Sequence, residues 1–230
     1  MFGSPDKWSD ATISVLVCDD AALARRQFTV ALEASDHIEV VAEAADTDTA
    51  LAEAIECTPD VIWMGLHLGG VAGVRLIASI RELVPGARFV VTCGPDEGED
   101  RVRALKAGAS AFVRRDEAPA GAIAITERAA WGLTSLEERD LVALRDAFAS
   151  FERHSASVQQ QLAPPRLDGS STAVLDALAG GMTAAEAAGE LGVPEATVEG
   201  AVANALERLH RHARTEAMAF AVDEQVFEGG

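Results

Sequence analysis

The sequence predicts an α/β fold: a doubly wound, parallel, five-stranded sheet, followed by a long linker helix and an all-α domain. Three observations predict it. Five short apolar runs alternate with helix-period segments between Ile13 and Trp131. The runs offer little polar face, as parallel strands covered by helices on both sides do. Beyond Trp131 the strand signals stop, and apolar residues recur at three- and four-residue steps.

Residues 1–11 read as a disordered tail. Ile13-Ser-Val-Leu-Val-Cys18 is the first strand; it ends in Asp19-Asp20 and leads into a helix over Ala21–Glu33. Ile38–Glu43 is the second strand and Thr47–Glu56 the second helix, with Ala, Leu and Ile on one face. Pro59-Asp60 is a turn signal before Val61-Ile62-Trp63-Met64, the third and most apolar strand. It breaks into a loop holding Gly65, Gly69, Gly70 and Gly73, and a helix over about 71–84 follows. Arg88–Thr92 is the fourth strand, with an amphipathic helix running to Lys106 and Gly108 suited to stop it. Ala111-Phe-Val113 is the fifth, ending in Arg114-Arg115-Asp116, and a helix spans about Pro119–Trp131. In open parallel sheets, ligands and chemistry sit at the carboxyl ends of the strands. Gly65 holds that place on the third strand and brings no side chain to it.

Composition bounds the function. The 230 residues suit one large or two modest domains, each able to bury a core. Hydrophobic residues make up 49%, yet no apolar run approaches the ~18 residues of a membrane span, and the N-terminus lacks a secretory pattern. Cys18, Cys57 and Cys93 are odd in number and lack metal-site spacing, which fits a reduced, cytoplasmic protein. A net charge of −18 argues against broad attraction to nucleic acid or anionic membrane, while leaving room for a local basic patch. No catalytic-triad spacing, metal cluster or phosphate loop is visible, so an enzyme is not expected.

Asp19-Asp20, the glycine-rich loop, the run Lys106-Ala-Gly-Ala-Ser110 and Arg115 together resemble a response-regulator receiver domain over roughly residues 12–131. The resemblance implies an acidic pair that holds Mg²⁺, an aspartate acceptor of a phosphoryl group after the third strand, a Thr or Ser after the fourth and a Lys after the fifth. The matching positions here are Asp19 and Asp20, Gly65, Cys93 (or Thr92 with a one-residue slip), and Arg115. An acyl phosphate needs a carboxylate nucleophile and Mg²⁺ needs several oxygen ligands; Gly65 supplies neither. Two readings of this degenerate phosphorylation pocket stay open. One is a residual Mg²⁺ or small-ligand site at Asp19 and Asp20, the other an inert acidic corner bridged by Arg115 with no cofactor. Neither includes aspartyl phosphorylation.

Ser135-Leu-Glu-Glu138 has the pattern of a capping box. Leu141, Leu144, Phe148, Phe151, Val158 and Leu162 then follow heptad steps until Pro164-Pro165, giving a helix over 136–162 of roughly 40 Å. Its stripe suits a homodimer or a heterodimer with another regulator, or packing on its own receiver. From residue 167 to 222, the capping box Thr183-Ala-Ala-Glu186, the turn at Gly192-Val193 and Pro194 closely resemble a LuxR-type helix-turn-helix domain with its recognition helix over 195–209. An acidic tail, 223–230, closes the chain. With the receiver this is the pattern of the NarL/LuxR class of response regulators, and the resemblance implies a DNA-binding transcription factor.

The recognition helix departs from its family at Glu199, where Lys is usual, and at Ala201, where His is frequent. Residues 164–230 hold 4 Arg and no Lys against 11 acidic residues, a net of −7. The DNA-contact candidates are Thr197, Glu199, Asn204, Arg208, Arg211 and Arg214; Glu195 or Glu199 could also accept from a cytosine amino group. Because phosphate contacts supply most affinity, a DNA-reading helix and a protein-contact helix both remain open. His210 and His212 lie two apart and share no helix face, so they make no metal site.

Overall fold

The computed structural model describes residues 12–68, 71–94, 98–115, 121–154 and 167–227. The expected tail at 1–11 and the seam residues Val158 and Leu162 lie outside these. The chain forms two compact units, Met1–Glu137 and Glu138–Gly230.

In the first unit, β1 (Ile13–Cys18), β2 (Ile38–Ala44), β3 (Val61–Gly65), β6 (Arg88–Cys93) and β7 (Ala109–Arg114) form a parallel sheet in the order β2-β1-β3-β6-β7. The order reverses direction at β1, which makes the carboxyl ends of β1 and β3 the switch point where ligands sit in such sheets. Helices α1 (Ala22–Leu32) and α5 (Ala122–Ala130) pack together, while α2 (Thr47–Cys57), α3 (Gly73–Leu83) and α4 (Gly98–Ala107) form a second neighbouring set. A small antiparallel hairpin, β4 (His67–Leu68) and β5 (Val71–Ala72), lies within the stretch that reads in sequence as a plain loop.

Trp63 anchors the face covered by α1 and α5. Its ring lies 5.0 Å from that of Phe28, and its Nε1 donates to Thr126 Oγ1 at 2.8 Å. The indole thus buries its apolar area without leaving a donor unanswered. Asp60 fixes the amino ends of β1 and β3: its Oδ2 accepts from the Ser14 amide at 3.0 Å and hydroxyl at 2.7 Å. Gly108, at φ +141°, ends α4 as the sequence predicts, in a conformation that L side chains rarely adopt.

The second unit contains α6 (Glu138–His154), α7 (Gly169–Ala179), α8 (Ala184–Leu191) and α9 (Glu195–Phe227). The capping box on α8 is present, with Thr183 Oγ1 accepting from the Glu186 amide and Glu186 accepting from the Thr183 amide at 2.8 Å. Gly192, at φ +66°, supplies the left-handed turn before α9.

Two boundaries and one packed seam correct the sequence reading. Ser135 does not cap a helix; it pairs with the edge of β7, and α6 begins at Glu138. The seam of α6 is not an open stripe. Leu141, Leu144 and Phe148 are buried within this single chain, and α6 packs against α7 and α9 of its own unit. Periodicity reveals an apolar stripe but not what covers it. Phe151 lies on the described backbone of α6, though its side chain does not belong to the described set. Finally, α9 continues through Phe227, so residues 223–227 are helical rather than tail. No Gly or Pro stands between Gly200 and Gly229 to stop it.

Candidate functional site

The carboxyl ends of β1, β3 and β6 bring Asp19, Gly65 and Thr92 together. Gly65 pairs with Thr92 in the β3–β6 ladder, whereas Cys93 pairs with Arg114 across β6–β7. Successive strand residues face opposite sides, so Thr92 stands beside Gly65 and Cys93 turns away. Of the two candidates, the register thus puts Thr92 in the row of Gly65 and Cys93 on the opposite side of β6.

Asp19 is 1% exposed. Its Oδ1 accepts from the Ala21 amide at 2.9 Å, and Arg115 Nη2 stands 3.4 Å from its Oδ2. Neither Asp19 Oδ2 nor Thr92 Oγ1 makes a hydrogen bond among the described residues. Burial pushes the Asp19 carboxyl above its ordinary range, opposed by the Ala21 amide and then by Arg115. Asp20, next along, is exposed. Arg25 Nη1 donates to the Asp19 carbonyl at 2.6 Å, and its Nε donates to Glu43 Oε2 at 3.1 Å, which holds the end of β1 to β2.

Gly65 is buried and not in a left-handed conformation, so flexibility is not what fixes glycine there. A Cβ at Gly65 would meet the His67 carbonyl oxygen at 3.0 Å, Arg115 Nη2 at 3.3 Å and Asp19 Oδ2 at 3.4 Å. The guanidinium thus fills the space in front of Gly65 and supplies positive charge to the acidic corner. The donor set does not fit Mg²⁺: Gly65 offers no side-chain ligand, and the inward oxygen of Asp19 faces a cation already. Among the described residues there is no group of three or more His, Cys, Asp or Glu that could hold a metal.

Cys93 belongs to a different cluster. It is fully buried, and Arg101 Nη1 on α4 donates to its sulfur at 2.8 Å. Neither Arg101 nor this contact is visible from sequence spacing, since Arg101 reads there as one more polar residue of an amphipathic helix. The other cysteines, Cys18 and Cys57, are unbridged, and burial raises the Cys18 thiol far above its ordinary range.

On α9, Thr197, Asn204, Arg208 and Arg211 fall at steps of seven, four and three, which places them on one stripe of the helix. Thr197, Asn204 and Arg211 are exposed and Arg208 partly so, while Val198, Val202, Leu206 and Leu209 are buried on the core side. Glu199 is half-buried and lies roughly 200° round the helix from Thr197. The structure therefore separates the cationic stripe from the residue that makes the sequence look hostile to DNA. Arg208 also helps to hold down the carboxyl of Asp168, the cap of α7, which the Ser170 hydroxyl and Ser171 amide bring to about 2. Arg214 lies on the described backbone of α9, with its side chain outside the described set.

Comparisons with known proteins bear on this arrangement. Residues 15–126 match the family model of the response regulator receiver domain. The nitrate/nitrite response regulator protein NarL of Escherichia coli is 27% identical over 217 residues, which cover 93% of this chain and 97% of that protein. The chain is a response regulator of the NarL/LuxR class. The solved receiver domain of the NarL response regulator of Mycobacterium tuberculosis superposes with a TM-score of 0.50 at 28% identity, covering 52% of this chain and 97% of that one. A structure of two RcsB dimers bound to two parallel DNAs matches 86% of this regulator and 92% of that chain, with a TM-score of 0.51. At 18% identity that likeness shows the fold alone. No helix among the described residues is long and apolar enough to cross a membrane.

Proposed function

We propose that this regulator is a transcription factor whose output does not pass through aspartyl phosphorylation, and that it binds DNA as a dimer through α9. One observation carries the first part: the strand-end position after Met64 is Gly65, and Arg115 stands where an acceptor carboxylate would need room. Asp19 and Asp20 remain, but Asp19 is buried and ion-paired, and neither sits at the carboxyl end of β3. The stripe of Thr197, Asn204, Arg208 and Arg211 supports the second part, since it offers two cations and two hydrogen-bonding side chains of the kinds used for phosphate and base contact.

Fluorescence anisotropy of the unmodified full chain on genomic fragments, over a range of salt, tests this. Affinity should fall linearly in log–log form as salt rises. A second reading, a protein-contact helix that acts through a basic partner regulator or the transcription machinery, is favoured by the net −7 of residues 164–230. Absence of salt-sensitive binding even at about 50 mM salt, together with a basic protein that co-purifies, selects that reading. The dimer contact in either case lies outside Leu141, Leu144 and Phe148, which the chain buries itself. A cytoplasmic location accompanies both roles.

A further inference from the structure

The segment that leaves the first unit is paired along the outer edge of β7. Ser135 donates its amide to the Ser110 carbonyl at 3.1 Å, and the Phe112 amide donates to the Ser135 carbonyl at 3.2 Å, forming a parallel bridge between Ala111 and Ser135. An edge strand presents a row of donors and acceptors that needs covering; here the chain's own linker covers part of it. Glu137 follows two residues later, and α6 begins at Glu138.

Arg101 meets this linker. Its residue is 3% exposed, and its guanidinium carbon lies 4.4 Å from the centre of the Phe112 ring. Its Nη1 is 2.8 Å from Cys93 Sγ, and its Nη2 is 3.9 Å from Glu137 Oε2. A guanidinium this deeply buried is costly unless its donors are answered. One side chain therefore touches the end of β6, the middle of β7 and the last residue before α6.

We propose that Arg101 is a positioning residue that latches the linker to the sheet and couples it to the carboxyl end of β6. Cys93 is the neighbour of Thr92, so the coupled strand end is the one that borders the Asp19–Gly65–Arg115 corner. Loss of the Arg101–Cys93 contact removes the anchor that aims the guanidinium from the end of β6, and its hold on Phe112 and Glu137 loosens. The rungs at Ser135 open, and residues 133–137 leave the β7 edge ahead of α6. The latch uses a cysteine sulfur as a buried acceptor, not as a nucleophile.

Amide hydrogen exchange of the full chain tests this at two reporters, the Phe112 and Ser135 amides, whose partners are the linker and the β7 edge. Arg101→Met keeps the aliphatic stem and removes the guanidinium; both amides should exchange about tenfold faster or more, the scale of a lost hydrogen bond to a charged group. Amides of β1 and β3 should be unchanged. Cys93→Val removes the acceptor and should give the same local acceleration, whereas Cys93→Ser keeps an acceptor and should hold both amides near wild type. Unchanged reporters in folded Arg101→Met and Cys93→Val overturn the proposal, as does acceleration spread evenly over the sheet. Where Arg101→Met does not fold, the Cys93 pair decides: equal exchange in the Val and Ser variants overturns the latch.

Discussion

Arg115→Ala removes the cation that stands 3.4 Å from the buried Oδ2 of Asp19. Two unit charges at that separation interact by about 5 kcal/mol at an effective dielectric of 20. The Arg115 side chain is 40% exposed, so solvent screens most of this, and about 1–2 kcal/mol remains as the expected loss of stability at neutral pH. Asp19 already has a raised carboxyl, chiefly through burial. Its contribution to stability is fully present below the ordinary carboxylate range and is lost as pH rises through the raised value. Without Arg115 that value climbs further, so the deficit of the variant should shrink on acidification towards about pH 4. Urea unfolding followed by tryptophan fluorescence reads the first unit, which contains all three tryptophans. In an Asp19→Asn background the cost of Arg115→Ala should fall below about 0.5 kcal/mol. An equal cost in both backgrounds would refute the pairing of Arg115 with Asp19.

Other perturbations have outcomes of their own. Arg211→Ala, on the exposed stripe of α9, should weaken DNA binding and flatten its salt dependence by about one counterion, whereas Glu199→Lys, on the core side, should leave that slope nearly unchanged; on the partner-protein reading Glu199→Lys should instead slow association with a basic partner. Leu144→Glu places a charge at a fully buried position of α6 and should cost about 3 kcal/mol or more, seen as loss of helical signal and early melting of the second unit. A folded, monomeric variant by light scattering would instead restore the dimer seam. Thr126→Val strands the Trp63 Nε1–H in the core and should cost about 1–3 kcal/mol, read as a lower urea midpoint.

The fold was legible because buried parallel strands and amphipathic helices leave different periods, and each of the five apolar runs from Ile13 to Val113 became a strand of the sheet. Local devices with a fixed sequence offset were legible too, such as the Thr183–Glu186 box and the Gly108 stop. What depends on register was not. The one-residue choice between Thr92 and Cys93 rests on the pairing of β3 with β6, which no spacing along one strand reveals. The partner of a stripe was equally hidden: Leu141, Leu144 and Phe148 repeat as a coiled coil does, yet α7 and α9 lie against their helix. Ser135 shows a third limit, because a capping box and an edge rung ask for the same small polar residue. At the corner itself, Arg115 was legible as a substitution, but its position before Gly65 required the coordinates.

Intact mass spectrometry of the full chain after incubation with acetyl phosphate and Mg²⁺ tests the central claim most directly. With Gly65 at the end of β3 and Arg115 against Asp19, the protein should keep its unmodified mass, and its DNA-binding isotherm should be the same with and without the donor. A stable adduct of one phosphoryl group that maps to Asp19 or Asp20 and shifts that isotherm would contradict it.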